Sequence, residues 1–499
     1  MDKINLGGFQ FGTSIEGEEP RSPGDPFRIL LIGDFSGDNS QEISSLQPKQ
    51  VDRDTCDILL AAMAPRIDKL LSSIDGSPIS FCPTSLDDFH PDQLFESLEV
   101  FAEMRKLRRQ LKNPNLFAAA ATKILSWADA QPAIPESKEA VSESPADSPA
   151  ADGPAADGPA ADGPADDSEV NPAYSTEGLF DSVLETSVDN SDETDWTSMI
   201  GDIVASSKIE KVDPRVDELT DLVDKVTERV MQSILHQSSF RKLEASWRSI
   251  DRVVRSIETS GQLQVFMLDM SNEQLRSDLE SETLAVSHLN RILVEQTVKT
   301  PGAKPWSVVG SMFDFGPNEE DVNALARLSQ LATAGQFTVV AGAEADRETW
   351  ESESAVDSWK PLRSSPGAGR LCVVWPKYLF RLPYGSRHGR VDGFAFEELS
   401  PSAPEPWTTA APLVTICLAQ RFQEQKWDLE TTGTLKLSGL PMFYRVEEDE
   451  NQAPGQYLLT DTQGNQLRAE FGITPLYSVR DTDEVLFSGI GSVGGKVLY

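Results

Sequence analysis

A chain of 499 residues with 39% hydrophobic content is long enough to bury two or three sizeable cores. Its 80 Asp and Glu against 44 Lys and Arg leave a formal net charge of −36, which argues against a nucleic-acid partner, because phosphate contacts need clustered basic side chains. No apolar run approaches the roughly 20 residues that span a bilayer, and Met1-Asp2-Lys3-Ile4-Asn5 lacks the basic-then-apolar pattern of a secretory signal, so a cytoplasmic protein without membrane insertion is expected.

In chain order, Phe27-Arg28-Ile29-Leu30-Leu31-Ile32-Gly33 is a continuous apolar run between Pro26 and a Gly-Asp turn, which predicts a strand buried on both faces. Asp52 and Asp54 precede Ile58, Leu59, Met63 and Ile67 at helical spacing, with the carboxylates at the dipole-positive end. Ile79 to Cys82 reads as a second strand. Ser85 to Asp92 opens a helix carried by Leu94, Leu98, Phe101 and Leu107, basic in its latter half and stopped by Asn113-Pro114. The phrases Pro26-Phe27-Arg28 through Gly33-Asp34-Phe35-Ser36-Gly37, Val51-Asp52-Arg53-Asp54, Ala64-Pro65-Arg66-Ile67 and Ser85-Leu86-Asp87-Asp88-Phe89 together resemble the small sheath subunit family of type VI secretion systems, TssB or VipA.

Between Pro145 and Asp167 the unit Ala-Ala-Asp-Gly-Pro repeats three times from Ala150. Proline and glycine suppress helix and sheet, alanine offers too little apolar surface to offset chain entropy, and the aspartates repel one another, so the segment reads as a disordered linker. Beyond it Leu179, Phe180, Val183 and Leu184 fall on one helical face, with Ser175 or Thr176 as N-cap. Such a stripe either docks on the following body or serves as a peptide for a partner's groove. Helical periodicity resumes from Val216 through Ile250. Strand character marks Leu263 to Met270, Trp306 to Gly310 and Gln336 to Ala341, with helices at Asp321 to Ala332 and Pro412 to Gln425. The phrases Leu243-Glu244-Ala245-Ser246-Trp247-Arg248, Leu268-Asp269-Met270-Ser271, Leu379-Phe380-Arg381-Leu382-Pro383-Tyr384-Gly385, Phe394-Ala395-Phe396-Glu397-Glu398, Ser438-Gly439-Leu440-Pro441 and Phe471-Gly472-Ile473-Thr474-Pro475-Leu476 resemble the large sheath subunit family, TssC or VipB.

No pattern carries catalysis. The ending Gly489 to Lys496 looks like a phosphate loop, but Ile490 stands where glycine is required and Val497 replaces the Ser or Thr that holds magnesium. The histidines, His90, His236, His288 and His388, have no ligand spacing, no Gly-x-Ser-x-Gly elbow occurs, and Cys56, Cys82, Cys372 and Cys417 form no Cys-x-x-Cys pair. No metal, cofactor or catalytic residue is expected. Arg381, beside Pro383-Tyr384-Gly385, either binds a carboxylate across a subunit boundary or makes an intrachain ion pair, so Arg381 and Tyr384 are the subunit-interface candidates.

The resemblance implies a mixed α/β (α+β) fold like a phage tail sheath, with two interlocked sheath-subunit bodies in one chain. The expected division is a small-subunit body at 1–130, the linker at 131–174, an exposed amphipathic helix at 175–192 and a large-subunit body at 193–499. It implies a structural, non-enzymatic protomer of a contractile sheath, a helical homopolymer around an Hcp-like inner tube, attached through a baseplate to an envelope complex. In that family terminal strands interlock neighbouring protomers. Ile4, Leu6, Phe9 and Phe11 at the start and, near the end, Val485 and Phe487 or else the tail to Tyr499 are the matching candidates. The helix bearing Leu179, Phe180, Val183 and Leu184 corresponds to the segment recognised by the AAA+ unfoldase ClpV. The competing readings are a non-polymerising accessory or cap protein, or an enzyme with a deep pocket of converging polar groups.

Overall fold

The computed structural model describes residues 24–72, 78–113, 115–129, 216–344, 346–399, 403, 405–443 and 453–498. The expected strand at 4–11, the linker at 131–174, the helix at 175–192 and Tyr499 lie outside them.

A seven-stranded sheet runs in the order Thr474–Pro475, Leu371–Trp375, Thr338–Ala343, Val308–Phe315, Phe27–Gly33, Leu263–Asp269, Lys49–Val51. Neighbours pair in parallel except Lys49–Val51, which runs antiparallel to Leu263–Asp269. The apolar run expected to be buried on both faces is also paired on both edges. Phe27 to Gly33 align with Leu263 to Asp269 on one side, and Ile29 to Ile32 with Val308 to Ser311 on the other. Two strands from before residue 130, Phe27–Gly33 and Lys49–Val51, thus join five strands from after residue 215 in one sheet, and the two parts interlock through a common core.

Strand alternation sorts that core into two layers. Phe27, Ile29 and Leu31 point to the face covered by the helices Val216–His236, Ser238–Ser256 and Ala411–Gln425, and by the helices that precede the linker. Leu30 and Ile32 point to the other face, covered by Glu319–Gly335, Glu353–Arg363 and Asp461–Phe471. Helices on both faces of a mostly parallel sheet make the α/β class expected. Gly310 has a packing reason: a methyl group on it would lie 2.8 Å from Leu31 Cδ2.

Local departures from the expected elements have physical causes. The helix expected from Ser85 to Leu107 is broken into Leu86–Phe89, Pro91–Ser97, Glu99–Phe101 and Ala102–Leu111, because His90 and Leu98 adopt extended backbone and Pro91 starts a new helix as its first residue. The helix after Asp54 stops at Met63, where Ala64 turns left-handed at φ 47°, and Ile67 belongs to the strand Ile67–Ser72. Ile58 is 65% exposed, so the buried face is set by Cys56, Leu60 and Met63.

Candidate functional site

Residues 380–399 form a strap with little regular structure, laid over the junction between the segments before and after the linker. Its hold is ionic. Arg381 Nε donates to Glu244 Oε1 at 2.8 Å, and its two terminal nitrogens donate to the carboxylate of Glu398 at 2.7 and 2.8 Å, a bidentate fork. Glu398 also accepts the backbone N–H of Tyr384 at 2.7 Å, and the Tyr384 ring covers the guanidinium at 4.3 Å. All three charged groups are buried. Burial lowers the Arg381 pKa, and Glu244 and Glu398 more than reverse that, so it stands well above its usual value. Burial raises Glu398, and Arg381 more than offsets that, leaving it below the usual carboxylate range. Burial pushes the Tyr384 hydroxyl up to about 12. Removing one partner of such a set leaves an uncompensated buried charge, at a cost of about 3–5 kcal/mol.

The strap grips the segment before residue 130 through polar and aromatic contacts. The Asp92 carboxylate accepts the Gly393 N–H at 2.8 Å and the Asp392 N–H at 3.1 Å. Arg108 donates to the Gly393 carbonyl and pairs with Asp224 at 2.9 Å. Phe394 packs on Phe95 with ring centroids 4.8 Å apart, and Tyr384 meets the His90 ring edge-on at 4.9 Å. A second contact joins the same two parts of the chain: Trp247 donates its indole N–H to the Phe35 carbonyl at 2.9 Å.

A smaller sheet orders Thr434–Leu437, Val485–Ser488 and Tyr477–Ser478. Val485 and Phe487 are fully buried in its central strand, where Val485 pairs with Leu437 on one side and Ser478 on the other, and Phe487 pairs with Leu435. The strand expected to be open at these two residues is already paired within the chain, at Val485 on both edges and at Phe487 on the edge toward Leu435. The open edge is on Thr434–Leu437, whose outer side carries no strand among the described residues. Leu435 and Leu437 are buried beneath it, and Thr434 and Lys436 are exposed.

Of the two subunit-interface candidates, Arg381 finds both carboxylates, Glu244 and Glu398, inside its own chain, so the intrachain ion pair holds. Tyr384 bridges to His90 from before the linker. Ile4, Leu6, Phe9 and Phe11, and Leu179, Phe180, Val183 and Leu184, lie outside the described residues. Sequence reasoning passed over Glu244 and Glu398 as partners. The signal was present in Leu243-Glu244-Ala245, a carboxylate on an otherwise apolar helical face.

A second ionic cluster closes the carboxyl ends of the sheet strands. Lys377 lies 3.2 Å from Asp314 Oδ2 and also bonds Glu344. Gly342 makes the room: a methyl group there would clash with both Asp314 Oδ1 and Thr409 Oγ1. Burial pushes the Asp314 carboxyl up to about 6, against the opposing pull of Lys377.

A cavity of about 620 Å³ opens between the turn at Leu86–His90, the helix bearing Arg248 and Arg252, the strap, and the loop Gly439–Pro441. No Ser, Thr, Cys or Lys lines it, so its converging polar groups include no hydroxyl, thiol or amine paired with a base other than the Tyr384 phenol.

Comparison with known families covers both halves in order. Residues 17–122 match the family described as "Type VI secretion system, VipA, VC_A0107 or Hcp2". Residues 217–494 match "EvpB/VC_A0108, tail sheath N-terminal domain". Among individual proteins, the type VI secretion system sheath protein TssC1 of Pseudomonas aeruginosa is 24% identical over 293 residues, 53% of this chain and 59% of that relative. The chain thus spans little more than half the length of that relative.

Proposed function

Because the chain belongs to the type VI secretion sheath family, with its VipA-like and VipB-like parts fused in one polypeptide, we propose that it is a complete protomer of a contractile sheath. The observation that carries this reading is the place of Phe27–Gly33. A strand from the VipA-like part, buried between two strands of the VipB-like part, makes one chain the equivalent of a folded heterodimer. In this reading protomers polymerise helically in the cytoplasm around an Hcp-like inner tube, grow from a baseplate that anchors them to an envelope complex, and contract to propel the tube. No chemical step is needed: the work comes from two packings of the same interfaces.

The open edge of Thr434–Leu437 supports the interlocking part of the proposal. A strand carrying Ile4, Leu6, Phe9 and Phe11 from a neighbouring protomer would extend that sheet by backbone pairing. The division into a small-subunit body at 1–130, a linker at 131–174, a helix at 175–192 and a large-subunit body at 193–499 belongs to the same reading. In it the linker fixes one-to-one stoichiometry without dictating geometry. Leu179, Phe180, Val183 and Leu184 would present the face that the ClpV unfoldase takes up, and replacing Leu179 and Val183 by Asp should abolish that binding.

Electron microscopy of the full chain expressed alone tests the central claim. Hollow tubes or short cogwheel-like stacks are expected. Monodisperse monomers at high concentration would overturn it.

A further inference from the structure

The helix Val216–His236 holds the strap along one ridge. Asp224, Glu228, Gln232 and His236 recur every four residues, so their side chains lie one above the other on a single face. Asp224 Oδ2 accepts the Ala395 N–H at 3.5 Å, Glu228 Oε1 accepts the Glu397 N–H at 3.0 Å, and Gln232 Nε2 donates to the Glu397 carbonyl at 2.7 Å. The His236 ring bonds the backbone of Glu398, the residue whose carboxylate forks onto Arg381. Unlike the other three, His236 sits among guanidinium groups. Arg381 faces it from the strap and Arg241 from the following helix, with Glu398 and, beside Arg241, Glu244 as the opposing charges. Its Nε2 is buried without a hydrogen bond of standard geometry. Along its own helix the charged neighbours are Glu228, beside Arg229 and Lys225, and Asp224, paired with Arg108 at 2.9 Å. From the strand Ile67–Ser72 the Lys69 carbonyl accepts from Gln237 Nε2, next to His236, at 3.1 Å.

We propose that His236 is an acid-sensitive latch on the strap: taking up a proton frees the 394–398 end from the helix and loosens the strap's hold on the part of the chain before residue 130. An imidazolium carries a donor on both nitrogens, and Nε2 has no acceptor of standard geometry to receive one. The new charge would also stand beside Arg241 and Arg381, where the Glu398 carboxylate already takes the Arg381 fork and the Tyr384 N–H. Burial, with those guanidiniums, lowers the His236 pKa below its ordinary 6.5, against the pull of Glu398. The closed strap therefore binds this proton less tightly than a strap swung free. Its closure is fully favoured above about pH 6.5 and loses ground as pH falls below that value. Glu228 and Asp224 act in the opposite sense, since burial raises both and each favours the closed strap as acid protonates it. Release at 394–398 reaches the earlier part of the chain because Phe394 packs on Phe95 and Gly393 bonds both Asp92 and Arg108.

Hydrogen–deuterium exchange of the full chain, read by mass spectrometry at peptides covering 394–399, tests this against His236→Gln, whose amide can still bond the Glu398 backbone and does not titrate. Between pH 7.5 and 5.5 the protection of the parent, divided by that of His236→Gln at the same pH, should fall several-fold. The limit is about tenfold, set by a histidine pKa of about 6.5 in the freed strap. Glu228 and Asp224 are present in both proteins and cancel in that ratio, as does the intrinsic exchange rate. Amides of Phe27–Gly33 should keep one ratio at both pH values, because the latch opens locally. A second measurement needs no variant: exchange of the His236 ring C2 hydrogen, followed across pH in the parent, should show a midpoint below 6.5. A 394–399 ratio that stays flat or rises on acidification overturns the inference. So does an equal fall at Phe27–Gly33, or a His236 midpoint at or above 6.5.

Discussion

Two strands of this molecule face opposite situations. Phe27–Gly33 is paired on both edges and buried on both faces, whereas Thr434–Leu437 is, among the described residues, paired on one edge and buried on one face. The first is a strand that another protein chain could have supplied and that this one supplies itself. The second keeps a row of backbone donors and acceptors on its free side, the kind of edge that soluble proteins normally shield with charge or brevity. Here the edge is four residues long and carries Lys436. Closing one interface within the chain while leaving another open separates folding from assembly. The same sheet chemistry serves stability at one site and partnership at the other.

The comparison is broken most severely at the closed strand. Leu31→Ala removes a fully buried side chain that fills the space left by Gly310, and should lower the unfolding free energy by about 3–5 kcal/mol in urea titrations. Gly310→Ala overpacks the same spot, at about 1–3 kcal/mol. Because the two changes trade volume across one contact, the double variant should cost less than their sum. Strict additivity would mean that Leu31 and Gly310 are not packed as described.

A pH profile sharpens the picture at the strand next to the closed one. Asp314 has a carboxyl pushed up to about 6 by burial, against 3.8 for an exposed aspartate. The folded protein therefore holds this proton more tightly than the unfolded chain does. Stability contributed by the protonated form is complete below about pH 4 and is lost as pH rises through 6, a swing on the order of 3 kcal/mol. Asp314→Asn should flatten that part of the profile, so that its advantage over the parent grows between pH 4 and pH 8 in denaturant midpoints. An advantage that shrinks over that range would show Asp314 to be stabilised as the anion by Lys377.

How far these features were legible in the sequence follows from their range. The run Phe27 to Gly33 announced a strand without a solvent face, since every residue in it but Arg28 is apolar or glycine. Its neighbours were not legible, because Leu263 and Val308 lie more than two hundred residues away and nothing local records pairing. The resemblance marked Val485 and Phe487 as strand residues, but nothing in the sequence records whether that strand's edges are free, which is a property of the two adjoining strands. The same limit applied to Arg381: its residue type and setting indicated a carboxylate partner, and only the fold brought Glu244 and Glu398 to it. The long helix expected through Leu98 failed for a more local reason, the extended backbone at His90 and Leu98 on either side of a proline-led turn.

The smallest effect on stability belongs to the open edge, and there the separation of folding from assembly is most exposed. If Ile4 to Phe11 is given to a neighbour's Thr434–Leu437 edge, Leu6→Pro with Phe9→Pro removes two backbone donors from the donated strand and none from the protomer's own sheets. The thermal midpoint of unassembled protein should then move by no more than about 1 °C, consistent with surface substitutions within ±0.5 kcal/mol. Tube length and pelletable mass should collapse. A matched loss of both would place the 4–11 segment in the protomer's own core, and tubes of normal length would assign the edge to some other strand. Only the uncoupled result, full stability with no polymer, fits a chain that closes one interface by fusion and leaves the next for its neighbour.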